Sequence, residues 1–225
     1  MTSPTDRADR YWASVFQVER SQLRLPGLHI TYVDDPDAGI YVLELGETVR
    51  VRAPRHRAPE VEKLPFDTAL DADAWRAALR GSDPVVLGPA AHYIASGEVG
   101  SSHEATHPSL AQVRRMTEGV VAEEVEESGV LEPDVENFGL WVDGTLAAVS
   151  SLSPWVGGRT DVGLLVAPQF RGRGLGREVA AIALDASIRR AGIARWRCRE
   201  NNAASVALAT GFRLQPYGRN LGIRL

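Results

Sequence analysis

Residues 161–176 read DVGLLVAPQFRGRGLG. A short apolar strand runs into a turn made of Arg171, Gly172, Arg173, Gly174, Leu175 and Gly176, and a helix follows at once. Such a helix start presents backbone N–H groups that have no intrahelical acceptor, which makes a cradle for phosphate. Glycine suits the turn because a side chain would hold a diphosphate away from the backbone. Each N–H can give a charge-assisted bond, and Arg171 and Arg173 add positive charge at the mouth. A P-loop requires Gly-Lys-Ser/Thr, yet the chain's one lysine is Lys63. A dinucleotide turn requires Gly-x-Gly-x-x-Gly, whereas the spacing here is Gly172-x-Gly174-x-Gly176. On spacing alone, a tight glycine turn without a ligand stays open beside the phosphate cradle.

Carboxylates form the second chemical feature. Asp161 opens the strand that leads into the turn. Glu123, Glu124, Glu126 and Glu127 cluster upstream as a second candidate group for taking a proton. The same cluster could recognise a cationic amine or be a solvated helix face. Cys198 is the only cysteine and reads as a small core residue. His29, His56, His92, His103 and His107 read as surface or loop residues. None has metal-ligand spacing with the cysteine or with a carboxylate set, so no metal is expected.

The elements that position these groups are legible in outline. The first ten residues are polar and expected to fray, with a short helix over 11–25 and a strand at 30–33. Residues 39–45 and 48–52 flank Gly46-Glu47 as a hairpin. A loop covers 53–59, a helix opened by Asp71 covers 72–79, and 84–89 reads as a short strand. Residues 98–108 are polar and poor in apolar side chains, which places a domain boundary between 1–105 and 106–225. The spacing predicts a helix over 109–125 with Val113, Met116, Val120 and Val121 on one side. Asp143-Gly144 marks a second hairpin, with strands at 138–142 and 146–150. Next come a strand at 160–166 and a helix at 174–191 whose buried stripe is Leu175, Val179, Ile182 and Ala186. Gly192 stops that helix. A strand at 193–198, a helix at 203–210 and short strands at 212–214 and 221–225 complete the pattern.

Whole-chain properties narrow the class. The 225 residues carry a formal net charge of -4 and a 44% apolar content, enough for one large or two small cores. The sequence pI of about 5.8 argues against a nucleic-acid partner. No apolar run approaches the roughly 18 residues of a membrane span. The opening residues lack the apolar stretch of a signal peptide, so a cytoplasmic location is expected.

The stretch 166–176 resembles motif A of the GCN5-related N-acetyltransferase (GNAT) superfamily. A second signature accompanies it: a strand, Asn201-Asn202, a short Ala/Ser-rich helix, then Gly211-Phe212-Arg213. The resemblance covers roughly 109–225. It implies an α/β (α+β) fold with a mixed, mostly antiparallel central sheet flanked by helices. The first hundred residues are then an N-terminal α/β extension or small domain, and could be a reduced relative of the same unit.

The resemblance also implies a chemistry. Acetyl-CoA would be the cosubstrate, its pyrophosphate held by the amides of Gly172, Arg173, Gly174, Leu175, Gly176 and Arg177. Backbone groups of Leu164, Leu165 and Val166 would pair with the pantetheine arm, and an amide near Val166 would stabilise the oxyanion. Asn202 would meet the pantetheine or acyl end, with Asn201 as a rival. An amine acceptor, a small molecule or a peptide, would attack the thioester directly. Asp161 or the group around Glu123 and Glu124 would take the proton. Many relatives carry a tyrosine acid four residues before the Gly-Phe pair, where this chain has Ala207. Ser205 and Tyr217 are the substitutes the sequence offers. Trp155 could wall the acceptor site, while Trp141 reads as core. A homodimer is one arrangement the resemblance allows. The alternative is a non-catalytic protein on the same fold that binds or senses acyl-CoA or engages a protein partner.

Overall fold

The computed structural model describes residues 3–102 and 106–225, and of Phe66 the backbone alone. His103, one of the histidines considered above, lies outside the described residues. In chain order the elements of the first half are α1 (Pro4–Val15), β1 (Gly27–Val33), β2 (Ile40–Leu45), β3 (Thr48–Pro54), α2 (Ala58–Val61), α3 (Ala72–Ala78) and β4 (Val85–Ala95). The second half holds α4 (Leu110–Thr117), α5 (Ala122–Ser128), β5 (Glu136–Val142), β6 (Thr145–Trp155), β7 (Gly158–Val166), α6 (Leu175–Ala191), β8 (Ala194–Arg199), α7 (Ala203–Gly211) and β9 (Gln215–Arg224). The chain packs as two compact units. One comprises the residues up to His92 with Cys198–Val206 and Pro216–Leu225; the other comprises Tyr93–Arg197 and Ala207–Gln215.

In the first unit the strand order is β1-β3-β2-β9-β4. β1 runs parallel to β3, and β2 is antiparallel to both β3 and β9. Alternation along β2 gives the sheet two covered faces. On one, Trp12 of α1 stacks on Tyr41 at 5.3 Å. On the other, Val61, Trp75 and Leu79 bury Ile40, Val42, Leu221 and Ile223. As expected, Asp71 caps α3, its carboxylate accepting from the N–H groups of Asp73 and Ala74.

Four expectations change in this unit. Residues 4–10 of the polar N-terminal stretch are helical rather than frayed. Ser3 caps α1 by accepting from the Asp6 N–H (3.1 Å), Pro4 sits in the first turn, and Ala8, Trp12 and Ala13 are buried. That helix stops well before Leu25, where Gln17 takes a positive φ of 53°. Strand β4 continues beyond 89, and the Pro89 carbonyl accepts from the Glu200 N–H (3.1 Å). At the C-terminus, one strand replaces two. Pro216-Tyr217-Gly218 belong to β9, which pairs with β2 from Arg219 to Ile223, and Gly218 is needed because a Cβ there would lie 2.5 Å from the Glu44 carbonyl oxygen.

In the second unit the order is β8-β7-β6-β5. The β5–β6 hairpin turns at Asp143 (φ 48°) and Gly144 (φ 75°), the two positive angles of a type I′ turn. Residues 109–125 form two helices instead of one. Ser109 and Gln112 make a capping box for α4, and the chain then turns through Gly119 before α5 begins. Val121 is therefore exposed, whereas Val113 and Met116 are buried as expected. Helix α6 is buried continuously from Val179 to Ser187, well beyond the single predicted stripe, and Gly192 ends it in the left-handed region. Trp141, expected in the core, is 39% exposed, and its indole N–H donates to Thr106 Oγ1. His92, expected at the surface, is 1% exposed in the first unit. The described sheets are mixed and mostly antiparallel, with helices against them, in agreement with the expected fold class.

Candidate functional site

The phosphate-cradle segment is built entirely within the second unit. β7 delivers the chain to Ala167, a single 3₁₀ turn spans Pro168–Phe170, and the glycine turn leads into α6. Gly172 (φ 74°) and Gly174 (φ 82°) both occupy the left-handed region, which glycine enters without steric cost. A Cβ built on either would meet nothing within 4 Å, so the space above the turn is open. Gly176 answers a different need: its Cβ would lie 3.1 Å from Val166 Cγ2, so glycine lets α6 sit close on the end of β7. The N–H groups of Arg177 and Glu178 both donate to the Gly174 carbonyl, at 2.9 and 3.2 Å. The preceding N–H groups, of Leu175 and Gly176, lie ahead of any intrahelical acceptor.

The strands beside the turn separate. β7 pairs with β6 along its length, out to Val166 opposite Ala148. With β8 it pairs only at Asp161 opposite Arg195 and Val162 opposite Trp196. Gly163, Leu164, Leu165 and Val166 thus run past the β8 ladder toward the turn. This leaves a strand edge onto which an extended ligand with amide groups can hydrogen-bond. Gly163 also lets α5 approach β7, because a Cβ there would fall 1.8 Å from the Ser128 carbonyl oxygen.

Each arginine near the turn has a defined seat. Arg171 donates from Nε to the Val166 carbonyl (3.2 Å) and forms a two-pronged ion pair with Glu124, with Nη1 3.4 Å from Oε1. The Arg173 guanidinium lies 5.4 Å from the centre of the Phe170 ring, and Arg177 lies 4.5 Å from that of Phe212. Beside Arg177 is a cavity of about 460 Å³, lined also by Ile94, Val99, Phe212, Arg213 and Gln215. Sequence reasoning did not reveal this cavity, because its walls come from segments more than a hundred residues apart.

The candidate acid–base groups are placed unevenly. Asp161 shares the unit with the turn and is gripped by Arg195, whose Nε donates at 2.7 Å to Oδ1 and whose Nη2 binds Oδ2. Both side chains are nearly buried, and the guanidinium stacks 4.6 Å over Trp155. Trp155 is therefore an 8%-exposed packing partner of this ion pair. Arg195 carried no sequence signal; only the parallel register brings it opposite Asp161. Glu123 is exposed, and Glu124 is engaged by Arg171.

Asn202, Ser205 and Tyr217 belong to the first unit. The Asn202 side-chain oxygen accepts from the Ser205 N–H (3.1 Å), the bond of an N-cap on α7. Tyr217 does not lie between two short strands. It is buried in β9, its hydroxyl donates to Asp9 Oδ1 (2.8 Å), and Arg24 both grips Asp9 and covers the tyrosine ring. Burial, reinforced by the Asp9 charge, pushes the Tyr217 hydroxyl far above the ordinary tyrosine range. Cys198 is buried, as read from the sequence. Among the described residues, no group of three or more His, Cys, Asp or Glu side chains could hold a metal ion. No helix among them is long and apolar enough to cross a membrane.

The Acetyltransferase (GNAT) family pattern matches residues 103–212. A putative GNAT-family acetyltransferase structure from Novosphingobium aromaticivorans is 18% identical, with a TM-score of 0.51 over 62% of this chain and 66% of that one. A Drosophila protein structure is 17% identical, with a TM-score of 0.54 over 72% of this chain and 58% of that one. The chain thus spans less than two thirds of each. No curated protein matches the chain.

Proposed function

The C-terminal half of this chain has the GNAT fold and matches the GNAT acetyltransferase family, and from that premise we propose that it transfers an acetyl group from acetyl-CoA to a primary amine. The carrying observation is the separation of β7 from β8 immediately before a glycine turn that opens α6. A strand edge and a helix N-terminus in succession suit a pantetheine arm followed by a diphosphate. The open space over Gly172 and Gly174 and the close seat of Gly176 fit the same ligand.

Acetyl-CoA supplies an acyl group on a thiolate leaving group. This chain's part is to hold that acyl group and the amine together, to receive a proton, and to stabilise negative charge on the carbonyl oxygen. The amides of the turn, with Arg171 and Arg173, hold the diphosphate. The edge of Gly163–Val166 orients the arm, and an amide near Val166 faces the developing oxyanion. The amine nitrogen forms the new C–N bond, the C–S bond breaks, and the amine proton passes to a carboxylate or through water to solvent. The exposed Glu123 is the more available receiver, since Arg195 holds Asp161 and Arg171 holds Glu124. The protein is proposed to act in the cytoplasm.

A second reading rests on one departure. Ala207 stands where many GNAT proteins carry a tyrosine acid, and Tyr217 is committed to Asp9. A protein that binds acyl-CoA without turnover fits those two facts. Calorimetric titration with acetyl-CoA and desulfo-CoA, beside Gly174→Glu, tests the shared premise. Binding that the variant abolishes supports it, and no binding by folded wild type overturns it. An amine panel with thiol detection then separates turnover from binding alone.

A further inference from the structure

We propose that Glu124 is a positioning residue that holds Arg171 away from the diphosphate, so that CoA binding releases the Glu124 carboxylate to a cationic acceptor. This rests on the CoA reading above. Among the described residues Arg171 is the cradle arginine tied to a carboxylate, while Arg173 and Arg177 rest on aromatic rings. Its Nε also donates to the Val166 carbonyl, so the same side chain spans from the end of β7 to the first turn of α5.

The energetics favour a switch. Arg171 and Glu124 are 46% and 42% exposed, and a pair that open to water contributes at most about 1 kcal/mol. A diphosphate offers two charged groups with oxygens suited to the planar guanidinium, which is the stronger partner. When Arg171 turns to it, Glu124 loses its counter-charge on the helix turn beside the end of β7. A protonated amine can then take the place the guanidinium left. Binding of an anion at one end and a cation at the other becomes positively coupled through a single side chain.

The test is a double-mutant cycle read by calorimetry with CoA and, separately, with inorganic pyrophosphate. Glu124→Gln alone should tighten both ligands by about threefold, the scale of a half-exposed ion pair. Arg171→Gln alone should weaken both by about tenfold. In the Arg171→Gln background, Glu124→Gln should then have no effect. Tightening by the same factor in both backgrounds would mean that Glu124 acts as a distant charge and overturns the proposal. So would unchanged or weaker binding in Glu124→Gln, with the CoA reading left intact. Failure of folded wild type and both variants to bind either ligand would overturn the two together.

Discussion

Arg177, in the first turn of α6, lies over the ring of Phe212 at 4.5 Å and donates from Nη2 to the Gly211 carbonyl at 3.3 Å. This contact joins the two sequence signatures of the second unit, the glycine turn and the Gly-Phe pair. Gly211 is part of the fit, since a Cβ there would lie 2.8 Å from Arg177 Nη1. Arg177→Ala should destabilise the protein by about 0.5–1 kcal/mol, the scale of an exposed cation–π contact. Arg177→Lys should recover only part of that, because an ammonium cannot stack as a planar guanidinium does. Urea denaturation of both variants measures the difference.

Gly163 is the tightest point between α5 and β7. The Cβ of Gly163→Ala would fall 1.8 Å from the Ser128 carbonyl oxygen and 2.4 Å from Ser151 Oγ. Backbone has to move, so the variant should lose about 3 kcal/mol or more. Gly172→Ala is the control: it meets open space and bears only the left-handed backbone cost of about 1 kcal/mol. Thermal denaturation should place Gly163→Ala far below Gly172→Ala.

Asp161→Asn should act first on stability. It leaves a nearly buried Arg195 guanidinium without its carboxylate, at a cost of about 3 kcal/mol. Asp161→Asn with Arg195→Met should regain most of that. If the double variant, folded and CoA-binding, also keeps turnover with an amine, Asp161 is not the base. Loss of turnover with stability restored would assign it that role.

Alkaline pH should weaken the first unit. The Tyr217 hydroxyl is pushed well above the usual tyrosine value by burial and by Asp9, and Tyr32, partly buried and donating to Glu62, is raised to about 12. Above pH about 10 the unfolded chain loses these protons while the folded chain keeps them, so stability falls as pH rises. Below that pH both states are protonated and the contribution is complete. Denaturation midpoints from pH 8 to 11 should stay level and then decline, and Tyr217→Phe should flatten the decline. At pH 8 the same variant should cost about 1–2 kcal/mol, because Asp9 loses a buried donor.

Local chemistry was legible in the sequence. Asp71 as a helix cap, Asp143-Gly144 as a two-residue turn, Gly192 as a helix stop and the glycine turn at 171–176 each act within a few residues of themselves. Their backbone angles follow from residue type, so they could be read one segment at a time. Patterns that depend on what packs outside failed. The polar residues at 4–10 form a helix because Ser3 caps it and a sheet face receives Trp12, neither of which polarity alone reveals.

By itself, the sequence determined the order of strand, glycine turn, helix and Gly-Phe pair, and hence the match of the C-terminal half to the GNAT family pattern. Tertiary structure alone decided the partners of its charged and polar side chains. Asp161 meets Arg195, Glu124 meets Arg171, the buried Asp185 accepts from the N–H groups of Val99 and Ser101, and Tyr217 meets Asp9 across 208 residues. It also placed a single C-terminal strand beside β2 where two short strands were expected. The physical reason is range. Steric limits on φ and the capping of a turn are set by neighbours in the chain, whereas an ion pair or a ladder is chosen by whatever segment the packed core brings opposite.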